Sequence, residues 1–249
     1  MSFEVSDEVL GIFIPILVYW IYAGVLHFVE SRFPEFKIQA VKESEDKNLV
    51  SQPTVIVGVL LQQFGQATIA ALMFWLTGQT TKGHAAATLM TMLRGGVQFF
   101  FAMLVLDTWQ YFMHRCMHEN KVLYKYIHSR HHRLVAPYAY GALYNHPIEG
   151  LLVDTMSGAV SFLASGMSPR MSIFFFSLAT VKAVDDHCGM WIPWHPFHLV
   201  FRNNSHYHTI HHSLYGTKHN YSQPFFVFWD RIFGTYYVPR GDEEEEKSI

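Results

Sequence analysis

Charge is scarce in this chain. Asp, Glu, Lys and Arg make up 15% of its 249 residues, against about a quarter in an average soluble domain. The net charge of −2 and the lack of any basic run longer than two residues exclude an electrostatic footprint for nucleic acid. Cysteine is nearly absent. Cys116 and Cys188 cannot build a disulfide framework, and neither sits in a CxxC pattern. Both lie beside histidines, near a prospective metal, and read as small apolar residues kept reduced in a cytosol-facing compartment. Lys and Arg are missing from residues 1–9, where a cleavable signal peptide would carry them, so the apolar run that follows reads as an anchor.

What is abundant is apolar. Half the chain is hydrophobic and 16% is aromatic. From Leu10 to Val29 the run has no acidic or basic residue apart from His27 and is long enough to cross hydrocarbon, with a tolerated Pro15 inside it. A second run spans Pro53 to Leu76. Its Gln62, Gln63 and Gln66 are unusual in lipid and predict a face that packs against protein or lines a cavity. A third covers Gly95 to Met113. A fourth, residues 148–184, is interrupted by GMSPR at 166–170 and predicts a helical hairpin that crosses or re-enters. His84, in the Gly- and Thr-rich stretch 77–88, reads as an ordinary loop histidine. The whole reads as one domain, 1–249. Within it, 1–94 holds the first membrane helices and loops, 95–236 holds the histidine motifs, and 237–249 is an acidic tail predicted to be disordered.

Positive charge orients these runs. Residues 30–52 carry four Lys or Arg and 114–147 carry five, while 1–9 and 77–93 carry none and one. The positive-inside rule puts both basic stretches in the cytosol and residues 1–9 outside. Every histidine motif then falls on the cytosolic side.

Those motifs are the organising feature. HRCMH places His114 and His118 four apart; HSRHH places His128, His131 and His132 at i, i+3 and i+4; HTIHH repeats that pattern as His208, His211 and His212. On a helix such spacings put side chains on one face. With His187 of DDHCG they make nine candidate ligands, more than one ion accepts, which implies two metals. His146 and His198 are further candidates; His195, His206 and His219 read as surface or pocket residues. Imidazole suits iron, zinc, copper or nickel. Neutral imidazoles beside apolar helices fit oxygen chemistry on a lipid chain, for which iron is the natural redox ion. Asp107 shares a helical stripe with Tyr111, His114 and His118. An acid within a membrane segment flags function, and Asp107 is expected either to orient a histidine of another motif or to satisfy a neighbouring polar helix. Glu149, Asp185 and Asp186 are expected to tune the ligands from behind or to cap helices.

Together, HRCMH, HSRHH, LYNHPIEG, DDHCG, HTIHH and LYGTKHNYSQPFFVFWDRIFGTY resemble the fatty acid hydroxylase superfamily, and within it the plant sphingoid-base C4-hydroxylases. The likeness runs from the first apolar segment to about Tyr236. It implies an all-α integral membrane protein, a bundle of about four to five membrane helices under a cytosolic, histidine-rich dimetal cap. It also implies a monooxygenase of the endoplasmic reticulum membrane that uses O2 and two iron ions, with zinc able to replace iron in isolated protein. The implied substrate is a sphingoid base or dihydroceramide, hydroxylated at C4. Electrons would come from NAD(P)H through a reductase and cytochrome b5. The chain has no haem-binding HPGG, so that cytochrome is expected to be a separate protein. Some relatives space the first motif HxxxxH, where this chain has HxxxH. For the lipid head the expected contacts are Tyr140, Tyr144, Asn145 and Glu149. A desaturase or a sterol or fatty acid hydroxylase shares the same motifs. A histidine-rich metal transporter is a reading of another class, but it would need ligands near the membrane midplane.

Overall fold

The computed structural model describes residues 5–43, 45–78 and 88–237. His84 and most of the acidic tail lie outside them. Five long helices form the body among the described residues: α1 (Asp7–Arg32), α2 (Gln52–Thr77), α3 (Leu89–Glu119), α4 (Pro147–Ser165) and α5 (Pro169–Asp186). The first four are long and apolar enough to cross a membrane. Helix α5 carries Arg170, Lys182, Asp185 and Asp186 and completes a hairpin with α4.

Helix α1 begins at Ser6, whose side chain accepts from the Val9 amide. Asp7 and Glu8 occupy its first turn and Arg32 its last, each charge opposite the dipole end it meets. Gly11, Pro15, Tyr19 and Ala23 step by four along one buried stripe that packs on α5. A second stripe, Phe13, Leu17, Ile21 and Val25, is more than half exposed. Apolar residues all round a helix this long suit lipid on the open side. Helices α1 and α5 run parallel and in register. Asp7 pairs with Arg170 (3.0 Å) at one end, and fifteen residues on, Tyr22 donates to Asp185 (3.0 Å) at the other.

Gly150 leaves room for a side chain of the neighbouring helix. A Cβ on Gly150 would fall 1.8 Å from the side-chain amide nitrogen of Gln62, which occupies the space left open between α2 and α4. At that point α4 widens into a π-helical turn, Gly150–Thr155. The predicted hairpin is present: Gly166, at φ +61°, ends α4, and the Ser168 side chain accepts from the Met171 amide to start α5.

Helix α3 places the site. Thr88 and Thr91 form a reciprocal cap at its start. Its 31 residues span about 46 Å, more than the roughly 30 Å of hydrocarbon in a bilayer. Its last turns therefore carry His114 and His118 clear of the apolar zone. Asp107, Tyr111 and His114 are buried along one face, the stripe expected from their spacing. Residues 120–146 and 187–237, which include α6 (Ser205–His212), cap this end of the bundle.

Candidate metal centre

Nine histidines converge under the cap in two groups. His114, His118, His128, His132 and His211 form one; His131, His187, His208 and His212 form the other. Within each, one ligand atom per residue lies within 4.8 Å of all the rest. The groups adjoin, with the His132 and His212 ring centroids 4.8 Å apart. Each HxxHH motif is split between them. The second motif folds as a 3-10 turn, His128–Arg133, rather than an α-helix. In such a turn residues three apart eclipse, and the His128 and His131 rings stack at 5.7 Å, yet His131 directs its Nε2 to the other group. On α6, His211 joins the first group while His208 and His212, four apart, join the second. The expectation that each motif aims its imidazoles in a single direction is therefore corrected.

The ring orientations are set from behind. Nδ1 donates to a backbone carbonyl in His114 (Tyr221, 2.8 Å), His131 (Tyr144, 3.2 Å), His187 (Ala183, 2.8 Å), His211 (His219, 2.7 Å) and His212 (Leu134, 2.8 Å). His128 Nδ1 instead meets the buried Glu149 carboxylate at 2.6 Å. A carbonyl only accepts, so in the five rings that face one Nδ1 holds the proton and Nε2 presents a bare lone pair. Such outer contacts fix tautomer and direction in metal-binding histidines.

These lone pairs face one another. The bare Nε2 atoms of His131 and His187 are 3.4 Å apart, and the Nε2 of His208 approaches those of His187 and His212 at 2.9 and 3.1 Å. Burial, reinforced by neighbouring imidazoles, holds His128, His131, His132, His208, His211 and His212 well below the ordinary histidine pKa. Burial likewise pushes His187 down to about 4. Neutral rings with converging lone pairs repel unless a cation lies between them. The donor set therefore fits two metal ions, and it is all nitrogen, the choice of iron or zinc rather than of magnesium or calcium.

Other residues singled out in the sequence have different surroundings. Asp107 reaches no histidine: its carboxylate accepts from the backbone amides of Phe225 (3.2 Å) and Phe226 (2.6 Å). Asp230, which sequence alone does not single out, takes the amides of Tyr221 and Ser222 and the hydroxyls of Tyr207 and Thr235. The two acids pin the segment whose Tyr221 carbonyl orients His114. Asp185 faces Tyr22, His195 and His198, and Asp186 pairs with Lys182. His198 stands with Asp185 and Cys188 outside both histidine groups. His146 accepts from the Ile148 amide and caps α4. Cys116 is exposed and Cys188 buried.

A cavity of about 220 Å³ opens beneath the centre, with His187 and His208 in its wall. Gln63, Gln66, Gln110, Asp154 and Thr180 line it beside α2, α3, α4 and α5, and Ile12, Ile16, Met73, Phe74 and Phe176 line it farther along those helices and α1. From Gln66 to Phe74 the rise along α2 is about 12 Å, so the wall turns from polar to apolar with distance from the histidines. Gln63 and Gln66 thus line a cavity, one of the two expectations for them. Of the expected head contacts, Tyr144 is buried under Arg130, Asn145 bonds Asp154, Glu149 bonds His128, and the Tyr140 carbonyl accepts from Tyr19. None of these four is in the cavity wall. Gln110 and Asp154 are, and each shows in the sequence as a polar residue within an apolar run.

Residues 99–235 match the fatty acid hydroxylase family. Sphinganine C4-monooxygenase 1 of Arabidopsis thaliana is 59% identical over 99% of this chain and 94% of its own length. A very-long-chain aldehyde decarbonylase of Oryza sativa is 54% identical, covering 93% and 90%. A sphingolipid C4-hydroxylase of Schizosaccharomyces pombe is 38% identical, covering 94% and 89%. No solved structure matches the chain.

Proposed function

This chain belongs to the fatty acid hydroxylase family, and from that premise we propose that it hydroxylates C4 of a sphingoid long-chain base. The observation that carries the reading is the cavity, ended by two of nine converging imidazoles, polar beside them and apolar farther along. The names of the Arabidopsis and fission-yeast relatives supply the substrate class.

In this reading His114, His118, His128, His132 and His211 hold one iron, and His131, His187, His208 and His212 the other. The chemistry supplied there is reductive use of O2: two electrons and two protons enter, one oxygen atom joins the C–H bond and the other leaves as water. The protein's part is orientation and exclusion. Backbone carbonyls and Glu149 fix the rings, the cavity holds one methylene near them, and the enclosing helices keep bulk water from the reacting carbon.

Electrons arrive from a separate cytochrome b5 fed by NAD(P)H through its reductase. Lys121, Lys125 and Arg133 are exposed beside the centre and offer it a basic landing face, while Arg130 lies over the Tyr144 ring. The basic loops support a cytosolic position for this face, and the same reading puts the chain in the endoplasmic reticulum membrane. The rice relative's name gives a second reading, attack on an aldehyde, and a desaturase would leave an alkene. A transporter is disfavoured, since the histidines stand at the helix ends. Expression in cells that lack 4-hydroxylated bases separates these readings. A new 4-hydroxylated base supports the proposal; an alkene, or consumption of a supplied aldehyde with no such base, sinks it.

A further inference from the structure

The cavity wall holds two carboxylates in unequal circumstances. Asp186 is matched by the Lys182 ammonium. Asp154, on the π-helical turn of α4, has no cationic partner among the described residues. Its Oδ2 accepts from the Asn145 amide at 2.7 Å, and the side chain lines the cavity shared with His187 and His208. The other acids of this end are engaged: Asp107 and Asp230 by backbone amides, Asp185 by Tyr22 and two histidines, Glu149 by His128. An acid inside a candidate membrane helix is costly unless something offsets its charge.

We infer that Asp154 is the binding site for the substrate's ammonium group, and that it selects the free base over its N-acylated form. The inference rests on the C4-hydroxylase reading. A sphingoid base carries its amine on C2, two carbons from C4, and the amine of a free base is cationic at neutral pH. An ammonium at Asp154 supplies the missing charge partner and sets C4 at a fixed short distance from the anchor. The apolar end of the cavity takes the tail. An N-acylated base has a neutral amide at the same position and leaves the carboxylate unmatched. Asn145 adds a link to the metal centre: it bonds Asp154, and it follows Tyr144, whose carbonyl orients His131. Anchor and ligand are thus held by adjacent residues of one loop.

The test uses the metal-loaded full chain with sphinganine and N-acetylsphinganine of one tail length, whose small acyl group changes charge more than bulk. The wild-type protein is expected to show about tenfold or greater preference in kcat/KM for the free base, the scale of a lost charged hydrogen bond. Asp154→Asn is expected to lose that preference, with activity on the free base falling about ten- to hundredfold and on the acetylated base little. Asp154→Glu is expected to restore part of it. Equal use of both substrates by the wild type overturns the inference without needing a variant. So does an equal loss on both in Asp154→Asn, the mark of a structural role. A wild-type chain that hydroxylates neither base defeats the underlying function instead.

Discussion

His131 and His187 turn their Nε2 atoms toward each other across 3.4 Å, although neither has a proton to put there. Each ring gives its Nδ1 proton to a backbone carbonyl, Tyr144 for one and Ala183 for the other. Two bare lone pairs at that distance are stable only with a positive charge between them. His212 repeats the arrangement from α6, its own Nδ1 proton committed to the Leu134 carbonyl. Residues from three distant parts of the chain therefore meet around a point that calls for a cation.

Removing one of these rings tests the grouping. His131→Ala is expected to lower bound metal from about two ions per chain to about one, since the other group keeps its five histidines. Hydroxylation is expected to be abolished while the protein still accumulates in membranes, because the bundle is built without that ring. His27→Ala, at an exposed histidine beside Glu30, is the control and is expected to change neither. Substantial activity with full metal content in His131→Ala would show the assignment to be wrong.

Glu149→Gln separates charge from geometry behind His128. The amide oxygen can still accept from Nδ1, but without the charge that strengthens the contact. Loss of an outer partner of this kind typically costs about 10- to 100-fold in metal affinity or activity. Competition against a graded chelator measures it, and unchanged retention of both ions would argue against Glu149 as an orienting group.

Much of this was legible in the sequence, and the remainder was hidden for physical reasons. The membrane helices show because apolar runs bounded by charge need no tertiary information. The hairpin shows because Gly166, Ser168 and Pro169 are end and start signals in themselves. Eight of the nine histidines announce themselves by spacing, and His187 stands alone in DDHCG. Their division into five and four does not, because it depends on how the turn His128–Arg133 and α6 meet in space. The partners of Asp107 were also out of reach, being backbone amides 118 and 119 residues away that any sequence could supply. Head contacts sought in LYNHPIEG are instead spent on the rings and on Asp154, since a loop beneath a metal centre must first satisfy its own buried groups.

Asp107→Asn tests that long-range clamp. An amide oxygen can accept from one of the Phe225 and Phe226 amides, but its NH2 opposes the other. The expected cost is about 1–3 kcal/mol, that of a buried amide left without a partner. It should appear as a lower melting temperature in detergent and as weaker metal retention, because the same segment carries the Tyr221 carbonyl to His114. An unchanged melting temperature would show that the clamp contributes little.

Acid should loosen the metal-free protein in a defined window. The buried histidines of the cap are held below their ordinary value, His187 at about 4 against 6.5. Unfolding lets them take up protons, so their contribution is present above about pH 6.5 and is lost progressively as pH falls towards 4. Thermal melts of the metal-free chain are expected to drop between pH 7 and pH 5. A flat profile would mean that these rings already bind protons in the folded state.

Charge reversal at Lys121 and Lys125 probes electron delivery. Both are exposed and away from the rings' hydrogen bonds. Turnover with cytochrome b5 is expected to slow and to lose part of its salt dependence, since complementary charge acts mainly on encounter rate. Turnover with a small chemical reductant is expected to be spared. Equal losses with both donors would assign these lysines a structural role.

The account's central claim is that oxygen from O2 enters at C4 because the head is held and the tail is not. The direct measurement supplies the iron-loaded chain with its reductant, ¹⁸O₂ and sphingoid bases differing by two tail carbons, then locates the label by mass spectrometry. The account predicts one ¹⁸O atom on C4 of both bases. An alkene product, label drawn from water, or an oxygen that stays a constant distance from the methyl end as the tail lengthens would contradict it.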